Sequence, residues 1–129
     1  MAQWANDVPS RERRNDVAKD YQIGGWLRPS EKDALYDYLK QFGIRPTAAA
    51  TLLIVRELRC KRLPKLRELY AAPNGVGRKR LTAHQPDGKL KQAFEEHAAA
   101  FGMEPNPAAA ILFRAELQER WLQNAVESA

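Results

Sequence analysis

Apolar positions from residue 31 to residue 60 fall into two helical stripes divided by a break. Ala34, Leu35, Tyr38, Leu39 and Phe42 recur at i, i+1, i+4, i+5 and i+8, one face of a helix. Ser30 supplies an N-cap, so the helix is expected to begin at Glu31. Gly43 stands where a left-handed C-terminal cap belongs. Pro46 and Thr47 restart the chain, with Thr47 as N-cap of a second helix from Ala48 to about Lys61. Pro64 then stops that helix or begins a short extra turn. The same order returns later. Asp87 is placed to cap a helix carrying Leu90, Ala93, Phe94, His97, Ala98 and Phe101, and Gly102 closes it. Asn106 before Pro107 reads as an N-cap with proline at the first helical position. The last helix is expected to run to about Gln123, with Ile111, Leu112, Ala115, Leu117 and Trp121 in the core.

A short segment precedes each helix pair. Residues 79–85 alternate polar and apolar side chains and predict a strand. Residues 22–28 are the corresponding segment, weakened as a strand by Gly24 and Gly25. The halves are also alike residue by residue. Sliding the chain by 59 positions aligns residues 32–58 with 91–117 without a gap, and ten of 27 positions are identical. They are Lys32/Lys91, Ala34/Ala93, Phe42/Phe101, Gly43/Gly102, Pro46/Pro105, Ala49/Ala108, Ala50/Ala109, Leu53/Leu112, Glu57/Glu116 and Leu58/Leu117. The shared Phe-Gly-x-x-Pro break carries more weight than the alanines, which match easily by chance.

Composition narrows the class. With 129 residues and 44% hydrophobic content the chain can bury a core, so a disordered tail is not expected. No apolar run, Leu52 to Val55 among them, approaches the roughly 20 residues needed to span a bilayer. The first twenty residues are polar and lack an apolar signal core, which argues against secretion. The single cysteine, Cys60, excludes an internal disulfide and fits a reducing cytoplasm. The net charge is +5, and its distribution matters more than its size. Residues 59–80 hold eight bases and one acid, while residues 81–129 are net acidic. A basic stretch of that density suits a phosphate backbone; it also suits a solvated linker.

Candidates for chemistry are few. His84 and His97 are the only histidines, and with one cysteine no metal-ligand spacing arises. His97 aligns with Tyr38 and is expected at a core edge. Asn74-Gly75-Val76-Gly77 lacks the Lys-Ser/Thr of a phosphate loop. Cys60 has no evident base partner. Glu95-Glu96 and Glu116-Glu119 read as solvated helix faces rather than acid–base pairs. No constellation asks to be an active site, so an enzyme, a metal and a cofactor are not expected.

The order strand, helix, glycine turn, helix, twice over, resembles the ribbon-helix-helix family of DNA-binding proteins. The residues that carry the likeness are Lys79-Arg80-Leu81-Thr82 leading to Pro86-Asp87, and the paired turns Phe42-Gly43-Ile44-Arg45-Pro46-Thr47 and Phe101-Gly102-Met103-Glu104-Pro105-Asn106. The resemblance covers residues 22–63 and 79–122. It implies a mainly α fold with a short two-stranded antiparallel ribbon, the two repeats intertwined as one four-helix unit, a pseudo-dimer in a single chain. Residues 1–21 would be a flexible arm, 64–78 a basic connection and 123–129 a tail.

The family reads base edges with outward strand side chains in the major groove and grips phosphate at the start of its second helix. Carried onto this sequence, base readout falls to Trp26, Arg28, Arg80, Thr82 and His84. Phosphate contact falls to Arg45, Thr47, Asn106, Lys61, Arg62 and Lys79. Three departures stand out. Gly24 and Gly25 leave gaps in the first strand's outer face. The strand-to-glycine spacing differs between the halves, so the outward face of the first strand is open. Glu104 replaces Arg45 at the second clamp, where an acid opposes phosphate. The expected function is sequence-specific binding of double-stranded DNA, as a transcriptional regulator or an accessory protein at a plasmid or phage site, in the cytoplasm with the nucleoid. The alternative is a helical protein-interaction module, or an antitoxin-like binder of a partner protein, whose ribbon has decayed. Further self-association is compatible with either.

Overall fold

The computed structural model describes residues 22–71, 79–84 and 88–128. Along them run β1 (Gln22–Leu27), α1 (Pro29–Lys40), α2 (Pro46–Cys60), α3 (Leu63–Tyr70), β2 (Lys79–His84), α4 (Gly88–Ala100), α5 (Pro105–Glu119) and α6 (Trp121–Glu127). The described chain is mainly helical, with one two-stranded antiparallel sheet. The expected N-terminal arm, the Asn74–Gly77 turn and the Asp87 cap lie outside the described residues.

β1 and β2 pair along their whole length, from Gln22 opposite His84 to Leu27 opposite Lys79. Side chains alternate between the two faces of a strand. Ile23 and Leu27 on β1, with Leu81 and Ala83 on β2, are buried against the helices. This settles which face of the first strand points outward: Gln22, Gly24 and Trp26 do. The packing is crossed. β1 lies on α5, the long helix of the second half, and β2 lies on α2, the long helix of the first. Gly25 makes the first contact feasible. A Cβ there would come within 2.8 Å of the Ala110 backbone nitrogen and of the Phe113 ring. The glycine that weakens the strand by propensity is therefore what lets strand and helix backbones approach.

Helix boundaries follow proline and glycine more closely than the polar caps. α1, α2 and α5 begin at Pro29, Pro46 and Pro105, with Arg28, Arg45 and Glu104 as extended N-cap residues. Proline is preorganised for the first helical position and has no amide to leave unpaired. Ser30, Thr47 and Asn106 are thus not the caps expected of them; each sits inside the first turn. Gly43 and Gly102 do close α1 and α4, at φ +68° and +71°. The amides of Ile44 and Met103 reach back to the carbonyls of Leu39 and Ala98. Ala34, expected in the core, is exposed, whereas Leu35, Tyr38 and Leu39 are buried.

Two further helices extend the four long ones. The stretch expected as a connection starts as α3, whose Leu63 and Leu66 are buried, and α3 packs on α5. The last helix stops at Glu119 instead of Gln123, and residues of the expected tail belong to α6. Both breaks fall one repeat apart, at Lys61 and Arg120, each left-handed at φ +53°. A non-glycine residue there costs about 1 kcal/mol of strain. Lys61→Gly is expected to raise stability by up to about 1 kcal/mol in urea unfolding. Arg120→Gly gains less, because the Arg120 guanidinium lies 5.2 Å from the Tyr38 ring centre and donates to Gln123.

Just before each break stands a buried glutamate. Glu57 Oε2 accepts the Leu63 amide at 2.7 Å, and Glu116 Oε2 accepts the Leu122 amide at 2.8 Å. Each carboxylate caps the short helix that follows. Each is also bonded by the first helix of the opposite half: Glu57 by His97 Nε2 at 2.7 Å, Glu116 by the Tyr38 hydroxyl at 2.7 Å. Positions 57 and 116, 63 and 122, and 38 and 97 are all one repeat apart, so equivalent residues of the two halves make matching contacts. Glu116 is accordingly not on a solvated face, and Glu119 is paired with Arg62, which holds its carboxyl below the usual range. His97 lies at the core edge, as expected.

Burial, and then the bond to Glu116, push the Tyr38 phenol up to about 12 from 10.0. The folded protein holds this proton more tightly than the unfolded chain does. Its contribution to stability is complete below pH 10 and is lost as pH rises through about 12. Ultraviolet titration of tyrosinate is expected to show one phenol ionising near pH 12, absent in Tyr38→Phe.

Candidate nucleic-acid interface

The outer face of the ribbon carries three cross-strand pairs: Gln22 with His84, Gly24 with Thr82, and Trp26 with Arg80. Trp26 is 47% exposed. Arg80 and His84 are exposed and Thr82 is half-exposed. Four of the five residues expected to read bases are thereby brought together. The fifth, Arg28, is exposed but lies one residue beyond β1. Its amide donates to Glu31 Oε1 at 2.8 Å, so it belongs to the start of α1. Gln22 shares the outer face and was not among the expected readers; the alternation of β1 reveals it once its parity is known.

The ribbon is tied to the long helices by three side chains, of which sequence reasoning missed Arg114 and Thr51. Arg114 on α5 donates from Nη2 to the Trp26 carbonyl at 3.2 Å and from Nε to Glu31 Oε2 at 2.9 Å. It thus holds the end of β1 and the start of α1 together. Thr51 on α2 donates to the His84 carbonyl at 2.8 Å. Asn106 on α5 accepts the Gly24 amide on Oδ1 at 3.2 Å. Asn106 is therefore half-buried and serves the strand, which competes with its expected role at phosphate. A polar residue in the first turns of an otherwise alanine-rich helix was the available signal for both Thr51 and Asn106.

The N-terminal ends of α2 and α5 face the ribbon, since Thr51 and Asn106 bond to it. Neither helix has a side-chain cap hydrogen bond. In the first turn of α2 the Thr47 and Ala48 amides are suited to an anion, whereas in α5 Pro105 and Pro107 carry no amide and only that of Asn106 is left. Arg45 and Thr47 are exposed at the start of α2. Glu104 is exposed at the start of α5, so the two ends differ in charge. Lys79 is exposed at the start of β2, although its parity is that of the inner face. Lys61 and Arg62 are not brought to the ribbon. They follow the far end of α2, ten residues and so about 15 Å of helix beyond Thr51. Arg62 is engaged bidentately by Glu119 at 2.8 and 3.0 Å.

Among the described residues no cluster of three His, Cys, Asp or Glu side chains is placed to hold a metal ion, and no helix is long and apolar enough to cross a membrane. Cys60 is exposed at the end of α2. Searches against protein-family models, curated proteins and solved structures returned no match to this chain.

Proposed function

We propose that this chain binds double-stranded DNA by laying the β1–β2 ribbon in the major groove, as a single-chain pseudo-dimer of the ribbon-helix-helix type. The observation that carries the reading is the paired ribbon with Trp26, Arg80 and His84 exposed on its outer face. A two-stranded ribbon matches the width of the major groove, and arginine is the commonest reader of guanine. Crossed packing of each strand on the other half's long helix supports the pseudo-dimer. The open amides of α2, with Arg45, Thr47 and Lys79, are suited to flanking phosphates. A module with a decayed ribbon would have its strands unpaired or their basic face covered, and the described residues show neither. Transcriptional regulation and an accessory role at a plasmid or phage site both fit this activity.

Selection from a random duplex library at two salt concentrations, followed by sequencing, tests the reading. Enrichment of one motif, with affinity falling steeply as salt rises, is the expected result. Salt-sensitive binding without a motif reduces the activity to backbone contact. Absence of binding at low salt overturns the reading in favour of a protein-interaction module.

A further inference from the structure

Arg80 does not stand over its own place in the ribbon. Its cross-strand partner is Trp26, yet its guanidinium lies diagonally across the outer face, over Gly24. A Cβ at residue 24 would fall on Arg80 Nε and come within 2.6 Å of Nη2. Gly24 is an outward position without a side chain, and it is buried all the same. Its backbone is held from the other side, where its amide donates to Asn106 Oδ1. Gly24 does not need positive φ and does not face a helix; Gly25 takes the helix contact. What the bare α-carbon provides is a trough in which a long side chain can lie along the ribbon. Gly24 pairs with Thr82, the middle of the three outward pairs. The Arg80 head group therefore lies at the ribbon's centre, beside Thr82, and Trp26 keeps one end with its ring uncovered.

The geometry points to Gly24 as a positioning residue that sets specificity: by lacking a side chain it holds Arg80 over the centre of the ribbon, directing the guanidinium to a guanine at the middle of the DNA site. This rests on the proposed DNA-binding function and says which base the ribbon selects and which residue places the reader. Any side chain at position 24 lifts Arg80 out of the trough, so a variant distant in chemistry from arginine changes what arginine reads. The apparent defect in the first strand is in this way part of the reading surface.

The test is selection and sequencing with the full chain and four variants: Gly24→Ala, Arg80→Ala, the two combined, and Arg80→Lys. Wild type is expected to enrich sites with a central guanine. Gly24→Ala loses that preference by about tenfold, with thermal stability unchanged. In the Arg80→Ala background Gly24→Ala adds no further loss, because it acts only through Arg80. Arg80→Lys narrows the guanine preference, since an ammonium lacks the planar fork of a guanidinium. An unchanged motif in Gly24→Ala overturns the inference while leaving DNA binding intact, as does an equal loss with and without Arg80. Should Gly24→Ala prove unstable, a retained guanine preference in Arg80→Ala overturns it instead. Failure of the wild type to enrich any motif overturns sequence readout itself, and this inference with it.

Discussion

Glu116→Ala is expected to lower the free energy of unfolding by about 3 kcal/mol, seen as a reduced midpoint in urea. The carboxylate is 2% exposed and accepts from both the Tyr38 hydroxyl and the Leu122 amide. Truncation leaves both donors without that acceptor in the interior, and each unsatisfied group costs about 1–3 kcal/mol. Burial has already pushed the Glu116 carboxyl above the usual carboxylate range, against the pull of Tyr38 and the backbone amides. The site thus sustains the carboxylate only through its partners. Tyr38→Phe together with Glu116→Ala is expected to cost less than the two single changes added, because they share one bond. Glu57→Ala, the change one repeat earlier, is expected to cost less than Glu116→Ala. Its partner His97 keeps 11% of its side chain exposed and reaches water more readily than the Tyr38 hydroxyl. Glu116 bonds to α1 and α6 rather than to the ribbon, so the destabilised protein is expected to select an unchanged DNA motif below its midpoint.

Gly25→Val is expected to be comparably damaging, by about 3 kcal/mol, for the opposite reason: too much volume instead of a missing group. The nearest atoms to a side chain at position 25 are the α5 backbone at Ala110 and the ring of Phe113, itself fully buried. Neither is the free end of a flexible chain. Relief requires β1 to lift from α5, which opens the ribbon's inner face. Thermal unfolding should show the midpoint falling by several degrees, and fluorescence of Trp26 should shift as its strand moves. Gly24→Ala, one residue earlier, is expected to leave the midpoint in place, because only the movable end of Arg80 stands in its way. Two adjacent glycines on opposite faces of one strand thereby separate stability from specificity in a single pair of variants.

Much of the architecture was legible along the chain. Helical periodicity located the four long helices, the Phe-Gly-x-x-Pro breaks located their turns, and the 59-residue offset marked residues that make matching contacts in the two halves. The alternation of residues 79–84 marked the second strand. Errors at the helix starts came from ranking a polar cap above proline. At Pro29, Pro46 and Pro105 the ring fixes the backbone locally, and Ser30, Thr47 and Asn106 were drawn into the turn behind it. The breaks at Lys61 and Arg120 carried no glycine to announce them. They are imposed by Glu57 and Glu116, whose carboxylates draw the next helix's amide from six residues ahead.

What the sequence by itself determined is therefore what period and punctuation govern: the phase of the four long helices, the glycine caps, the repeat, and a basic stretch at residues 59–80. These depend on neighbours three or four residues apart. Only the tertiary structure decided which face of β1 points outward, that Lys61 and Arg62 stand away from the ribbon, that Arg114, Thr51 and Asn106 hold it, and that Gly24 and Gly25 are fitted to an arginine and a helix. Each of those depends on a partner from the opposite half of the chain, brought near by the crossed packing. A residue's own surroundings in sequence carry no trace of what will lie against it from the other half of the chain.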